Sequence, residues 1–137
     1  MVNYDIIAES YGIKVLEEHK FVKRAISQGW GDEALDCVWN GTSMAMYGIQ
    51  NYHDKAIYVG ESYSRYAFFH ELGHLTGEEN IKKRLSPEEL LLEEIRAWEL
   101  AYSYCYIYDD DFNEAEFFDD IVECLGSYGW GKINLEV

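Results

Sequence analysis

The sequence predicts an α+β fold in a single domain covering residues 1–137: a small, mostly antiparallel sheet of three to four strands packed against helices. Three observations lead there. Short apolar or alternating runs cluster between Ile13 and Val59, where strands are expected. Apolar residues recur at three- and four-residue steps after Ser62, which is helical spacing. Between two such helical stretches, Ser86-Pro87-Glu88-Glu89 combines an N-cap Ser, a Pro at the first helical position and a Glu at the third.

In chain order, Tyr4, Ile7, Ala8 and Tyr11 have helical spacing, and Gly12 is placed to end that helix. Ile13-Lys14-Val15 alternates as a short strand. Leu16 to Ser27 reads as a second helix with Phe21, Val22, Ala25 and Ile26 on one side, followed by a turn at residues 29–32. Asp36 to Trp39 is expected to be a strand closing on the hairpin dipeptide Asn40-Gly41, with Ser43 to Ile49 and Lys55 to Val59 as its successors. Helical spacing from Tyr63 through His74 ends at Gly77, a natural cap, and a charged connection runs over residues 78–85. The helix opened by Ser86 should reach about Cys105. A last amphipathic helix, Glu114 to Leu125, carries Phe117, Phe118, Ile121, Val122 and Leu125 on its apolar side.

Composition narrows the function classes. At 137 residues, 48% hydrophobic and 16% aromatic, the chain has ample material for one core, and neither a repeat nor a linker-like run divides it. No stretch approaches the roughly 18 to 20 apolar residues of a membrane span. Met1 to Ser10 lacks a basic segment followed by an apolar one, so no secretory leader is expected. Cys37, Cys105 and Cys124 are odd in number and widely spaced, as free thiols in a reducing cytoplasm would be. With 11 basic against 26 acidic residues and a net charge of −15, direct nucleic-acid binding is not expected. The acidity serves solubility, attracts a basic partner, or mimics DNA towards a DNA-binding protein.

The chemistry centres on His70-Glu71-Leu72-Gly73-His74. Four residues apart on a helix, two imidazoles stand on one face and can share a zinc ion. Glu71 is beside them rather than between them, so it suits proton transfer from a zinc-activated water better than ligation. Gly73 lets another element come close to the metal. A catalytic zinc takes three protein ligands and leaves one position for water, so a third ligand is required. His19 and His53 qualify only by type, since both fall on polar faces or loops. The metzincin pattern fails twice: Asn80 stands where its third His belongs, and Met1, Met44 and Met46 all lie upstream. The helix opened by Ser86 offers Glu93, Glu94 and Glu99. Glu94, followed at helical steps by Ala97, Trp98 and Ala101, is the first choice, with Glu93 the nearest competitor. Glu99 lies about 140° around the helix from Glu94 at about 100° per residue, so both cannot serve one site.

The pair of motifs, Phe68-Phe69-His70-Glu71-Leu72-Gly73-His74-Leu75 and Glu94-x-x-Ala97-x-x-Leu100-Ala101, with Ile57-Tyr58-Val59 ahead of them, resembles the ImmA/IrrE-type zinc metallopeptidases. The resemblance covers roughly Ile13 to Tyr104. It implies a zincin-like domain of gluzincin type, with His70, His74 and Glu94 as zinc ligands and Glu71 as the catalytic carboxylate. It also implies a cytoplasmic protease of a phage or mobile element that cleaves a regulatory protein, often a DNA-binding repressor. The chain departs from the pattern in turning polar at Thr76-Gly77-Glu78-Glu79 and in carrying no visible helix-turn-helix. Tyr63, Tyr66, Tyr102 and Tyr104 are the candidates for stabilising an oxyanion, and Lys55 to Val59 for the edge strand that receives substrate. Two further expectations come from other classes. One is a catalytically silent acidic binding protein with a structural zinc. The other is a toxin–antitoxin or repressor-control component whose proteolysis needs an activating partner.

Overall fold

The first helix, α1 (Tyr4–Ser10), opens on Asn3, whose side-chain oxygen accepts the Ile6 N–H, and closes before Gly12 at a positive φ of 73°. Its buried residues Ile7 and Ala8 anchor it to the core. The computed structural model describes residues 2–47, 54–61, 66–76 and 86–126. Among these, β1 is Ile13–Val15, α2 Glu18–Ser27, α3 Gly31–Asn40, β2 Met44–Tyr47 and β3 Lys55–Tyr58. Three helices complete the described chain: α4 (Ala67–Leu75), α5 (Pro87–Tyr108) and α6 (Glu114–Gly126). The α+β class expected from the sequence holds.

The sheet has the order β1-β3-β2 and is mixed. β2 runs antiparallel to β3, with Met44 opposite Tyr58, whereas β1 runs parallel to it, with Ile13 opposite Lys55. This corrects the expectation of a mostly antiparallel sheet. The stretch between β1 and β3 holds two helices and β2, so the chain has length enough to return and pair in parallel. The order also corrects the assignment of Lys55 to Val59 as an edge strand: β3 lies between β1 and β2, and its residues Ala56, Ile57 and Tyr58 are all buried. Alternation along β3 explains why. Ala56 and Tyr58 join Phe21, Ala25, Ala34 and Met46 under α2 and α3, while Ile57 joins the larger core built with α4, α5 and α6. The sheet thus has helices against both faces.

A second correction concerns Asp36 to Trp39, which is helical, within α3, and not a strand. Asp32 and Glu33 favour the helix N-terminus, and Ala34 and Val38, one turn apart, face the core cluster beside α2. The Asn40-Gly41 dipeptide ends this helix instead of turning a hairpin. Gly41 has φ 69°; its N–H donates to the Val38 carbonyl and Thr42 N–H donates to the Cys37 carbonyl. Left-handed backbone is what both a hairpin turn and this helix stop demand, so the dipeptide alone does not choose between them.

Ser86 performs as expected. Its hydroxyl accepts the Glu89 N–H and the Glu89 side chain accepts the Ser86 N–H, a complete capping box with Pro87 behind it. The helix runs three residues past the expected Cys105, to Tyr108. The expected cap Gly77, the connection at 78–85 and the tail from Ser127 lie outside the described residues. No helix among the described residues is long and apolar enough to cross a membrane.

Candidate metal centre

The site forms where α4 packs on α5, its most extensive contact among the described residues. α4 is buried on nearly every side, through Phe68, Phe69, His70, Leu72, Gly73 and Leu75. Its glycine is obligatory. A Cβ at Gly73 would be driven into the carbonyl oxygen of Ala97 on α5. Backbone therefore meets backbone, and the residues flanking Gly73 and Ala97 are drawn together across the interface.

Glu94 is the point of convergence. It is 3% exposed, on the turn of α5 that precedes Ala97. Its Oε2 lies 3.2 Å from His70 Nε2, and the same oxygen contacts His74 Nε2. The two imidazoles of α4, 4.6 Å apart between ring centres, thus aim the same type of nitrogen at one carboxylate oxygen. Each ring has a support. Trp98, one turn beyond Glu94, stacks on His70 at 4.2 Å with the planes 8° apart. His74 Nδ1 lies 2.9 Å from Glu93 Oε2, and Arg96 grips both oxygens of Glu93 at 2.7 Å. Arg96 also donates to the carbonyls of Gly73, at 3.2 Å, and Thr76, at 2.9 Å, at the C-terminal end of α4.

Adjacent glutamates of one helix therefore occupy different places. Glu94 meets the Nε2 atoms and Glu93 the Nδ1 of His74. Glu99, the third candidate, is exposed and lines a groove between α5 and α6. His19 is exposed on the first turn of α2, and His53 lies outside the described residues. Glu71 stands beside the cluster with its side chain 14% exposed. Its Oε1 is 4.0 Å from His70 Nδ1, and the backbone of Ala45 on β2 hydrogen-bonds its carboxylate.

One member went unrecognised in the sequence. Cys124 of α6 points its thiol at the other oxygen of Glu94, Sγ to Oε1 3.8 Å. His70, Glu94 and Cys124 each present a ligand atom within 4.8 Å of the other two, and this group can hold a metal ion. The available signal was periodicity, for Cys124 follows Phe117 and Ile121 at helical steps on the inward side of α6. None of the three cysteines is in a disulfide.

No protein-family model matches the chain, and no curated protein or solved structure matches it significantly. The chemistry of the site rests on its own geometry.

That geometry is strongly polarised. Burial disfavours charge on His74, but hydrogen bonds to Glu93 and Glu94 outweigh it and push its pKa up to about 10. Burial would likewise raise Glu94, yet its hydrogen bonds to both imidazoles hold it well below the usual carboxylate range. Glu71 moves the other way: burial raises its carboxyl against the pull of His70 and His74. The tyrosines considered for an oxyanion are engaged elsewhere. Tyr66 hydroxyl donates to the Asn113 carbonyl, Tyr102 to Glu114, and Tyr104 pairs with Thr76. Tyr63 lies outside the described residues.

The group of His70, Glu94 and Cys124, with His74 on the same oxygen of Glu94, can hold a metal ion. The second contact on His74, from a carboxylate itself held by Arg96, is the arrangement that fixes a ligating imidazole's tautomer and orientation.

Proposed function

We propose that the chain is a zinc-dependent metallopeptidase of gluzincin type, related to the ImmA/IrrE-type enzymes, that hydrolyses a peptide bond in a protein substrate. His70, His74 and Glu94 are its metal ligands and Glu71 its catalytic carboxylate. The observation that carries this is the meeting of both Nε2 atoms on one oxygen of Glu94, a residue from a separate helix.

A divalent ion in that set supplies Lewis acidity, which makes a water more acidic and a peptide carbonyl more electrophilic. The chain's own groups do the rest. Glu71 takes the water's proton and delivers it to the leaving amine, and its raised carboxyl pKa suits a group that must both accept and release. Trp98 and the Glu93–Arg96 pair hold the two imidazoles in place. The substrate strand is best received on β2, which has β3 on one side and no second strand neighbour among the described residues. Ala45 of β2 already contacts Glu71, so a peptide added to that edge passes beside the base. A basic substrate, such as a DNA-binding repressor, suits the net charge of −15.

The test is metal content followed by hydrolysis. Wild type should bind one equivalent of zinc, Glu94→Ala should lose it, and Glu71→Gln should keep it while losing peptide cleavage. Full metal retention in Glu94→Ala sinks the ligand set; unchanged cleavage in Glu71→Gln sinks the mechanism.

The thiol at Glu94 favours a second reading, a structural zinc in a catalytically silent acidic binding protein, because structural sites are closed by four protein ligands. Partner capture that survives chelation, with no cleavage product, supports that reading.

A further inference from the structure

We propose that Cys124 is a fourth protein ligand at the centre formed by His70, His74 and Glu94, so that the resting site is closed and hydrolysis requires withdrawal of the thiol. This rests on the metallopeptidase reading and adds its regulation.

The argument begins with position. A catalytic zinc keeps one coordination place for water, and a hydrolase gains nothing from a soft donor beside that place. Yet the Cys124 sulfur sits 3.8 Å from Glu94 Oε1, within the 4.8 Å group it forms with His70 and Glu94. It comes from α6, a third element, so the centre is enclosed by α4, α5 and α6 together. On coordination the thiol gives its proton to solvent, and its sulfur takes the place a water would hold.

α6 also meets α5 less extensively than α4 does. An apolar groove of about 320 Å³, lined by Ile95, Trp98, Tyr102, Phe117, Ile121 and Leu125, runs between it and α5. Phe118 and Val122 of α6 are left exposed at 51% and 62%. The helix carrying the thiol is therefore less tightly held than α4, whose backbone touches that of α5 at Gly73. A small displacement of α6 would remove the sulfur and leave the imidazoles and Glu94 where they are.

Cobalt(II) replaces zinc and reports its ligands by spectrum. The expected result on the full chain is one bound cobalt with a near-ultraviolet thiolate-to-cobalt charge-transfer band. The band should persist in Cys37→Ser and vanish in Cys124→Ser, which still binds cobalt. Acetohydroxamate, a probe for an open position, should shift the visible spectrum of Cys124→Ser at concentrations that leave wild type unchanged. Loss of affinity alone does not decide, because a residue that merely supports a ligand also costs about 10- to 100-fold on removal. Should Cys124→Ser fail to fold, X-ray absorption of wild-type zinc protein decides, with one sulfur at about 2.3 Å expected beside lighter donors at about 2.0–2.2 Å. Bound metal with no sulfur ligand, or a wild-type site open to acetohydroxamate, overturns the inference and leaves the metallopeptidase reading standing. No metal bound by wild type overturns the metallopeptidase reading itself.

Discussion

At the scale of single residues, Glu93 matters nearly as much as the glutamate beside it. It links Arg96 to His74 Nδ1 and so fixes which nitrogen the imidazole turns towards Glu94. Glu93→Gln should leave the ligand set intact and weaken zinc binding by about 10- to 100-fold, measured by competition with a chromophoric chelator. Unchanged affinity would show that Glu93 serves only the helix surface. The same contacts give the site a pH dependence. With its pKa pushed up to about 10, His74 carries a proton at neutral pH that an incoming ion must expel. Zinc affinity should therefore rise with pH up to about 10, and calorimetry in buffers of different ionisation enthalpy should detect the proton released. For the protein without zinc the sign is opposite. A raised imidazole pKa contributes stability in full below its ordinary value of about 6.5 and loses it as pH climbs through about 10. The two imidazoles and Glu71 were legible in the sequence because helical spacing is a local property. Glu94 was preferred to Glu93 on its helical neighbours Ala97, Trp98 and Ala101, but only packing assigns Glu93 to Nδ1 of His74 and Glu94 to the Nε2 atoms. Cys124 was legible still less, because nothing in the order of residues says that α6 folds back over Glu94.

At the scale of elements, the centre depends on how closely two helices approach. Gly73→Ala adds one methyl group against the Ala97 carbonyl, a backbone atom that cannot swing aside. Either α4 and α5 separate or the helix bends, at a cost of about 1–3 kcal/mol. Because Glu94 lies one turn from Ala97, separation also pulls it from the imidazoles. The expected outcome is a lower melting temperature together with lost zinc, read by thermal denaturation and metal content on one sample. A variant that keeps both would mean the close approach has no bearing on the site. Elements with a local start signal, such as α5 behind Ser86-Pro87-Glu88-Glu89, were readable in advance. Others were not. Asn40-Gly41 satisfies a hairpin and a helix stop equally, so the choice fell to the burial of Ala34 and Val38 against α2. The order β1-β3-β2 was beyond reach for a related reason. Whether β3 is edge or centre depends on Ile13 to Val15, far away in the chain, lying parallel beside it.

At the scale of the whole molecule, charge and architecture bear on substrate choice together. The net charge of −15 surrounds the domain with a field that draws cations, while in the proposed peptidase the β2 edge next to Glu71 would receive an extended main chain. A lysine-rich unstructured peptide satisfies both, as would a flexible segment of a basic DNA-binding protein. Raising salt from about 0.1 M to about 1 M shortens the screening length from about 10 Å to 3 Å, which removes attraction between separated charges but leaves hydrogen bonds along an edge strand. For such a peptide, kcat/KM should therefore fall about tenfold or more over that range, with the loss in KM and kcat nearly constant. A peptide of the same length with neutral residues in place of lysine should be slower at low salt and nearly indifferent to the change. If both peptides respond alike, the acidity serves solubility and substrate choice lies in contacts along β2. If only the basic one responds, the charge that argued against binding nucleic acid selects the proteins that do bind it.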